Sequence, residues 1–137
     1  KMRKVAETQR RGAAGMGGRT LETTNAWDPT EQSVAQTTYE SARTDIFRFY
    51  RNPDLNPALR DKRGLPLSYS RKEYRRRIHE YAYEGSWWVN LDSIEAEAAE
   101  LMERDPAQAE RFFGNRLVYG AGTWLPAGRW EAARAAA

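Results

Sequence analysis

The chain has 137 residues, 40% hydrophobic and 30% charged, with a net charge of +3 and a mean hydropathy of −0.87. That length suits one domain with a modest core, and the polarity predicts faces meant for a partner or for further chain. There is no Cys and a single histidine, His79, which excludes disulfides, thiolate metal sites and a His-based zinc site. No run of about 18 apolar residues is present to span a membrane. A chain that starts at Lys1 and ends at Ala137 predicts a cut, processed or partial protein, and the lack of thiols makes a reducing cytoplasm the easier home.

Charge comes in blocks. Residues 1–19 hold six Lys/Arg against Glu7, residues 43–77 eleven against four acids, and residues 78–115 two Arg against nine acids. Such alternation predicts two faces with different partners. The basic blocks suit phosphates, and the acidic block suits solvent or a basic neighbour.

In chain order, Lys1 to Arg11 reads as the end of a basic helix with Met2, Val5 and Ala6 on one face. Gly12, Gly15, Gly17 and Gly18 are expected to stop it. They are not a phosphate loop, because no Gly-Lys-Ser/Thr follows and a strand rather than a helix comes next. Thr20 to Thr24 is that expected strand. Thr23, Thr24 and Asn25 follow at its end, either as plain turn chemistry or as polar groups at a strand's C-terminal edge, where open α/β sheets bind ligands. Asp28, Pro29 and Glu31 predict a capped helix start, and Glu31 to Arg43 reads as a helix. Asp45 to Tyr50 is a second expected strand, with Phe47 and Phe49 on one face. Strand, helix, strand is the beginning or end of an α/β sheet that two strands cannot complete.

Asn52 to Pro66, with Pro53, Pro57, Gly64 and Pro66, predicts an exposed connection and the main boundary. Beyond it the sequence turns helical. Ser70 with Glu73 predicts a capping box for a helix running to about Glu84, with Gly85 as its stop. Its expected buried stripe is Tyr74, Ile78, Tyr81 and Ala82, with His79 beside it as a partly buried packing residue. Arg71, Lys72, Arg75, Arg76 and Arg77 crowd its first half. Positive charge there is unfavourable by a few tenths of a kcal/mol each, which an anion would relieve; the other reading is that these side chains simply reach water. Trp87 and Trp88 are expected to wedge between two helices, with stacking on a base as the alternative. Asp92 with Glu95, and Asp105 with Pro106, predict two more helix starts. A final short helix is expected to carry Trp130. The core of this half is then expected to be aromatic: Trp87, Trp88, Phe112, Phe113, Trp124 and Trp130.

No complete active site can be assembled from these residues. No Ser/His/Asp or Cys/His set can be argued from one His and no Cys, and most acids fall on helix exteriors rather than in catalytic pairs.

Three segments together resemble one family. Gly17 to Pro29, with Ser33-Val34-Ala35 following, resembles the coupling-motif region of the large terminase subunit of tailed phages, most like those infecting actinobacteria. Trp88-Val89-Asn90-Leu91-Asp92-Ser93-Ile94 resembles the opening of that family's linker subdomain. Arg111 to Val118, then Trp124-Leu125 and Trp130, resembles the run into its nuclease domain.

The resemblance implies a segment of an ATP-driven motor that moves viral DNA into a procapsid. Its fold would be α+β or mainly α: a two-strand remnant of a P-loop-type ATPase sheet followed by a small helical subdomain. Residues 1–51 would close the ATPase domain, 52–67 would be a basic Pro-rich linker, and 68–137 would be the helical subdomain leading toward the nuclease. Thr23, Thr24 and Asn25 would sense the nucleotide and couple it to motion. Arg71, Lys72, Arg75, Arg76 and Arg77 would face nucleic acid or another subunit.

ATP and Mg would serve the intact family protein, with neither bound by this chain alone. The partners implied are double-stranded viral DNA, the portal, the small terminase subunit and further copies in the assembled motor, in the cytoplasm of the bacterial host and without a membrane. The P-loop, the acidic strand that binds magnesium and the nuclease carboxylates are absent from this sequence, so no catalytic or metal-ligating residue is assigned. The alternative is a stand-alone small basic helical module that binds nucleic acid.

Overall fold

The computed structural model describes residues 2–118. Within them the protein is mainly helical: α1 (Met2–Gly15), α2 (Val34–Tyr39), α3 (Lys72–Ala82), α4 (Leu91–Arg104) and α5 (Pro106–Phe112), with a 3₁₀ turn at Pro53–Leu55. The expected final helix, with Trp124 and Trp130, lies outside the described residues.

The expected two-strand remnant is not formed. Among the described residues no sheet exists, and Arg60 and Pro66 make an isolated bridge. Thr20–Thr24 and Asp45–Tyr50 run as irregular chain without ladder partners. β-forming composition is not enough: a strand is stabilised by its neighbour's hydrogen bonds, and neither segment lies in a ladder.

α1 continues through Gly12 to Gly15, four residues beyond the expected end at Arg11. It ends where Gly17 takes a φ of +70°, conformational space that favours glycine. The N–H groups of Met16, Gly17 and Gly18 turn back onto the Ala13 and Ala14 carbonyls at 2.7–3.1 Å.

The expected cap at Asp28 is a turn instead. Its Oδ1 accepts from the Thr30 N–H (2.9 Å) and hydroxyl (2.7 Å), and the helix starts later, capped by Ser33 onto Gln36 N at 3.2 Å. Ser70 does not cap α3, whose N-cap is Arg71 with no side-chain bond. Asn90, not Asp92, caps α4, accepting from the Asp92 and Ser93 N–H groups. The Asp105-Pro106 start holds as read, with Asp105 accepting from Gln108 N at 3.0 Å.

The core lies in the C-terminal half. Leu59, Leu67, Tyr69, Ile78, Ala98 and Ala109 form one buried cluster, flanked by Tyr74, Tyr81, Leu101, Met102 and Phe113. Small alanines on α4 and α5 let the helices approach closely. Gly114 does the same for Tyr69, since an added Cβ would stand 2.9 Å from its ring and 2.6 Å from the Glu110 carbonyl.

The Pro-rich connection is partly built in rather than fully exposed, because Pro53 and Leu59 are buried. The expected aromatic core is corrected too. Of its described members Phe113 packs on the core, while Trp87, Trp88 and Phe112 are exposed.

A polar network runs through this core. Wholly buried His79 meets the Tyr69 hydroxyl at 2.7 Å through Nε2, and its Nδ1 lies 3.4 Å from Glu95 Oε2. Glu95 Oε1 accepts from Arg75 at 2.7 and 3.0 Å, and Arg75 also donates to the Tyr69 and Ser70 carbonyls. Burial of the imidazole lowers its pKa to about 4, and burial pushes the Tyr69 phenol up.

Candidate functional site

Two places gather residues that sequence reasoning singled out. The first is a cleft of about 400 Å³ lined by Met2, Thr24, Asn25, Ala26–Asp28, Glu31, Ser33–Ala35 and Arg111. Its floor is fixed by aromatic packing. Trp27 is buried against Tyr39 and Tyr50, with ring centroids 5.2 and 5.8 Å apart, and Tyr39 meets Tyr50 edge-on at 5.7 Å.

Asp28 is buried beside Trp27, and its Oδ2 lies 3.6 Å from Arg111 Nη1 on α5. Tyr50 donates its hydroxyl to the Asn115 carbonyl, and Asn115 donates back to the Arg51 carbonyl, both at 2.8 Å. Arg51 then donates to the Tyr81 carbonyl at 2.9 Å, with its guanidinium 4.1 Å from the Tyr81 ring centroid. A continuous seam thus joins the Asn25–Asp28 turn to α3 and α5.

Thr23, Thr24 and Asn25 are all exposed. Thr24 and Asn25 line the cleft and Thr23 does not; the Thr24 hydroxyl donates to the Asn25 carbonyl at 3.0 Å. The glycine turn before them does not build a triphosphate cradle, since N–H groups of Gly17 and Gly18 already bond the end of α1. Among the described residues no group of three His, Cys, Asp or Glu side chains could hold a metal ion. Among the described residues neither a free glycine loop nor an acidic cluster is present for ATP and its magnesium, and no chemical step is derived through them.

The second place is the N-terminal half of α3, where the five basic residues are divided. Arg75 turns inward, buried on Glu95. Arg76 is half-buried and pairs with Asp92 at 2.5 Å and Glu80 at 3.4 Å. Arg71, Lys72 and Arg77 are exposed; Arg71 lies over the Tyr74 ring, and Arg77 donates to the Ala58 carbonyl at 2.8 Å. The solvent-facing cations on this helix are therefore Arg71, Lys72 and Arg77, with Arg76 partly neutralised.

Sequence reasoning missed Arg111 and the inward turn of Arg75. The signal for Arg75 was present: residues 75, 78, 79 and 82 share one helical face, and Ile78 marks that face as buried. Arg111 carried no signal, because its partner is 83 residues away in the chain.

Compared with protein-family models, curated proteins and solved structures, the chain matches none.

Proposed function

We propose that the chain is a segment of a viral DNA-packaging motor, the terminase large subunit, that couples ATP hydrolysis elsewhere in the protein to movement of a helical subdomain. The observation that carries this is the ordered set of three motif-like segments, at 17–35, 88–94 and 111–130, across nearly the whole chain. Thr23, Thr24 and Asn25 are the proposed sensing residues. The Trp27–Tyr50–Asn115 and Asp28–Arg111 contacts support a relay, because a displacement of the Asn25–Asp28 turn must disturb α5. Arg71, Lys72 and Arg77 would face double-stranded viral DNA, with the portal, the small subunit and further copies as the other partners, in the bacterial host cytoplasm.

A second reading, a stand-alone nucleic-acid-binding module, is favoured by those same exposed cations and by a helical half that holds its own core.

The test is charge reversal at Arg71, Lys72 and Arg77 in the intact encoded protein, with DNA affinity measured against salt. Each lost phosphate contact is expected to flatten the log–log salt slope by about 0.9. Unchanged affinity with an unchanged slope removes DNA from this face. An isolated monomeric chain that binds DNA at physiological salt favours the second reading.

A further inference from the structure

The turn between α3 and α4 presents two tryptophans to solvent. Trp87 is 88% exposed and Trp88 is 68% exposed, with their rings edge-to-face at a centroid distance of 5.7 Å. The turn is ordered by its own backbone: Ser86 N–H bonds the Tyr83 carbonyl at 2.9 Å and Val89 N–H the Ser86 carbonyl at 3.0 Å, and Gly85 supplies a φ of +86°. Two indoles held in water on a hydrogen-bonded turn are a preorganised apolar knob, and such knobs mark contact sites.

Its surroundings decide the partner. From residue 80 to residue 103 the chain holds seven acids and no Lys or Arg. Glu84 and Asp92 flank the turn and are exposed. Arg51 pairs with Glu84, Arg76 with Glu80 and Asp92, Arg75 with Glu95 and Arg104 with Glu100, so seven carboxylates face four guanidinium groups and the region stays net negative. Exposed Glu97 continues the negative charge along α4. A nucleic acid brought to these indoles for stacking would carry its phosphates into that acidic field. A cation is attracted twice, by the carboxylates and by the indole faces.

We propose that the Trp87–Trp88 turn is a docking site for a cationic, amphipathic protein segment, whose Lys or Arg side chains lie over the indoles and whose apolar side chains cover them.

The experiment uses the full chain and a fluorescently labelled, alternating Lys/Leu helical peptide, with a Glu/Leu peptide and a single-stranded oligonucleotide as comparison probes. The Lys/Leu peptide is expected to bind, the Glu/Leu peptide not to, and the Trp87→Ala/Trp88→Ala variant to bind it about tenfold more weakly or worse. Because both side chains are exposed, that variant is expected to keep its helical circular dichroism. Glu84→Gln with Asp92→Asn is a second variant, expected to weaken the peptide and leave the indoles in place. Three results would overturn the proposal: no binding of the Lys/Leu peptide, binding that both variants leave unchanged, or oligonucleotide binding that the tryptophan pair alone controls.

Discussion

Residues 52–118 bury Leu59, Leu67, Tyr69, Ile78, Ala98 and Ala109 in one cluster, whereas among residues 2–51 the buried apolar side chains are Ala26 and Trp27. The N-terminal part also leaves Met2, Met16, Leu21, Phe47 and Phe49 largely exposed. It is held by an aromatic trio, by Arg48 donating to the Tyr39, Ser41, Arg43 and Ile46 carbonyls, and by the Asp28–Arg111 pair. One half is stabilised by hydrophobic burial, the other by a polar and aromatic seam against the first. Displacing residues 25–28 would break only the contacts of the seam, whereas parting α3, α4 and α5 would expose the buried cluster.

The largest effect should come from breaking the helical core. Ile78→Ala deletes a wholly buried side chain and is expected to cost about 3 kcal/mol, lowering the urea midpoint of the whole described helical half. A change below about 1 kcal/mol would mean that this core does not hold the half together.

Acid sharpens the comparison next. His79 ordinarily titrates at 6.5, and burial holds it at about 4 in the fold, helped by Arg75 and Arg76 and opposed by Glu95. Between those values the unfolded chain takes up a proton that the folded chain refuses. Stability is therefore full above pH 6.5, falls as pH drops from 6.5 toward 4, and levels below that, by about 3 kcal/mol at most. Glu110, pushed up by burial, titrates in the opposite sense, so the comparison is with His79→Gln. The variant is expected to lose the His79 part of the slope in urea melts, and identical slopes in the two proteins would contradict the assignment.

The smallest effect lies in the seam. Trp27→Ala removes the ring shared by Tyr39 and Tyr50 and is expected to loosen residues 2–51 by about 2 kcal/mol of local stability. Hydrogen exchange should then quicken in α2, while protection in α3 and α4 stays within about 0.5 kcal/mol of the parent. Equal loss in both regions would make the two halves one cooperative unit.

Much of the helical half was legible in the sequence. The Asp105-Pro106 start and the Ile78 face are local signals, and locally they hold, whereas α3 ends at Ala82, capped by Tyr83, short of the expected stop at Gly85. The two strands were not legible, because composition marks what could pair and not whether a partner strand is at hand. The exposed tryptophans misled for a related reason: large aromatics are usually buried, yet a two-residue turn tip has no opposing surface. The inward turn of Arg75 was legible from the face it shares with Ile78, but its partner Glu95, one helix away, needed the fold.

The central claim, that this chain is a terminase segment, is tested most directly by reading the encoding gene on both sides of residues 1–137. The account predicts, in the same frame, an upstream Gly-rich loop ending in Gly-Lys-Ser/Thr and a downstream strand carrying an isolated Asp. A start codon immediately before Lys1 with a stop codon after Ala137, or a longer frame with neither motif, would contradict it and leave the stand-alone binding module as the reading to pursue.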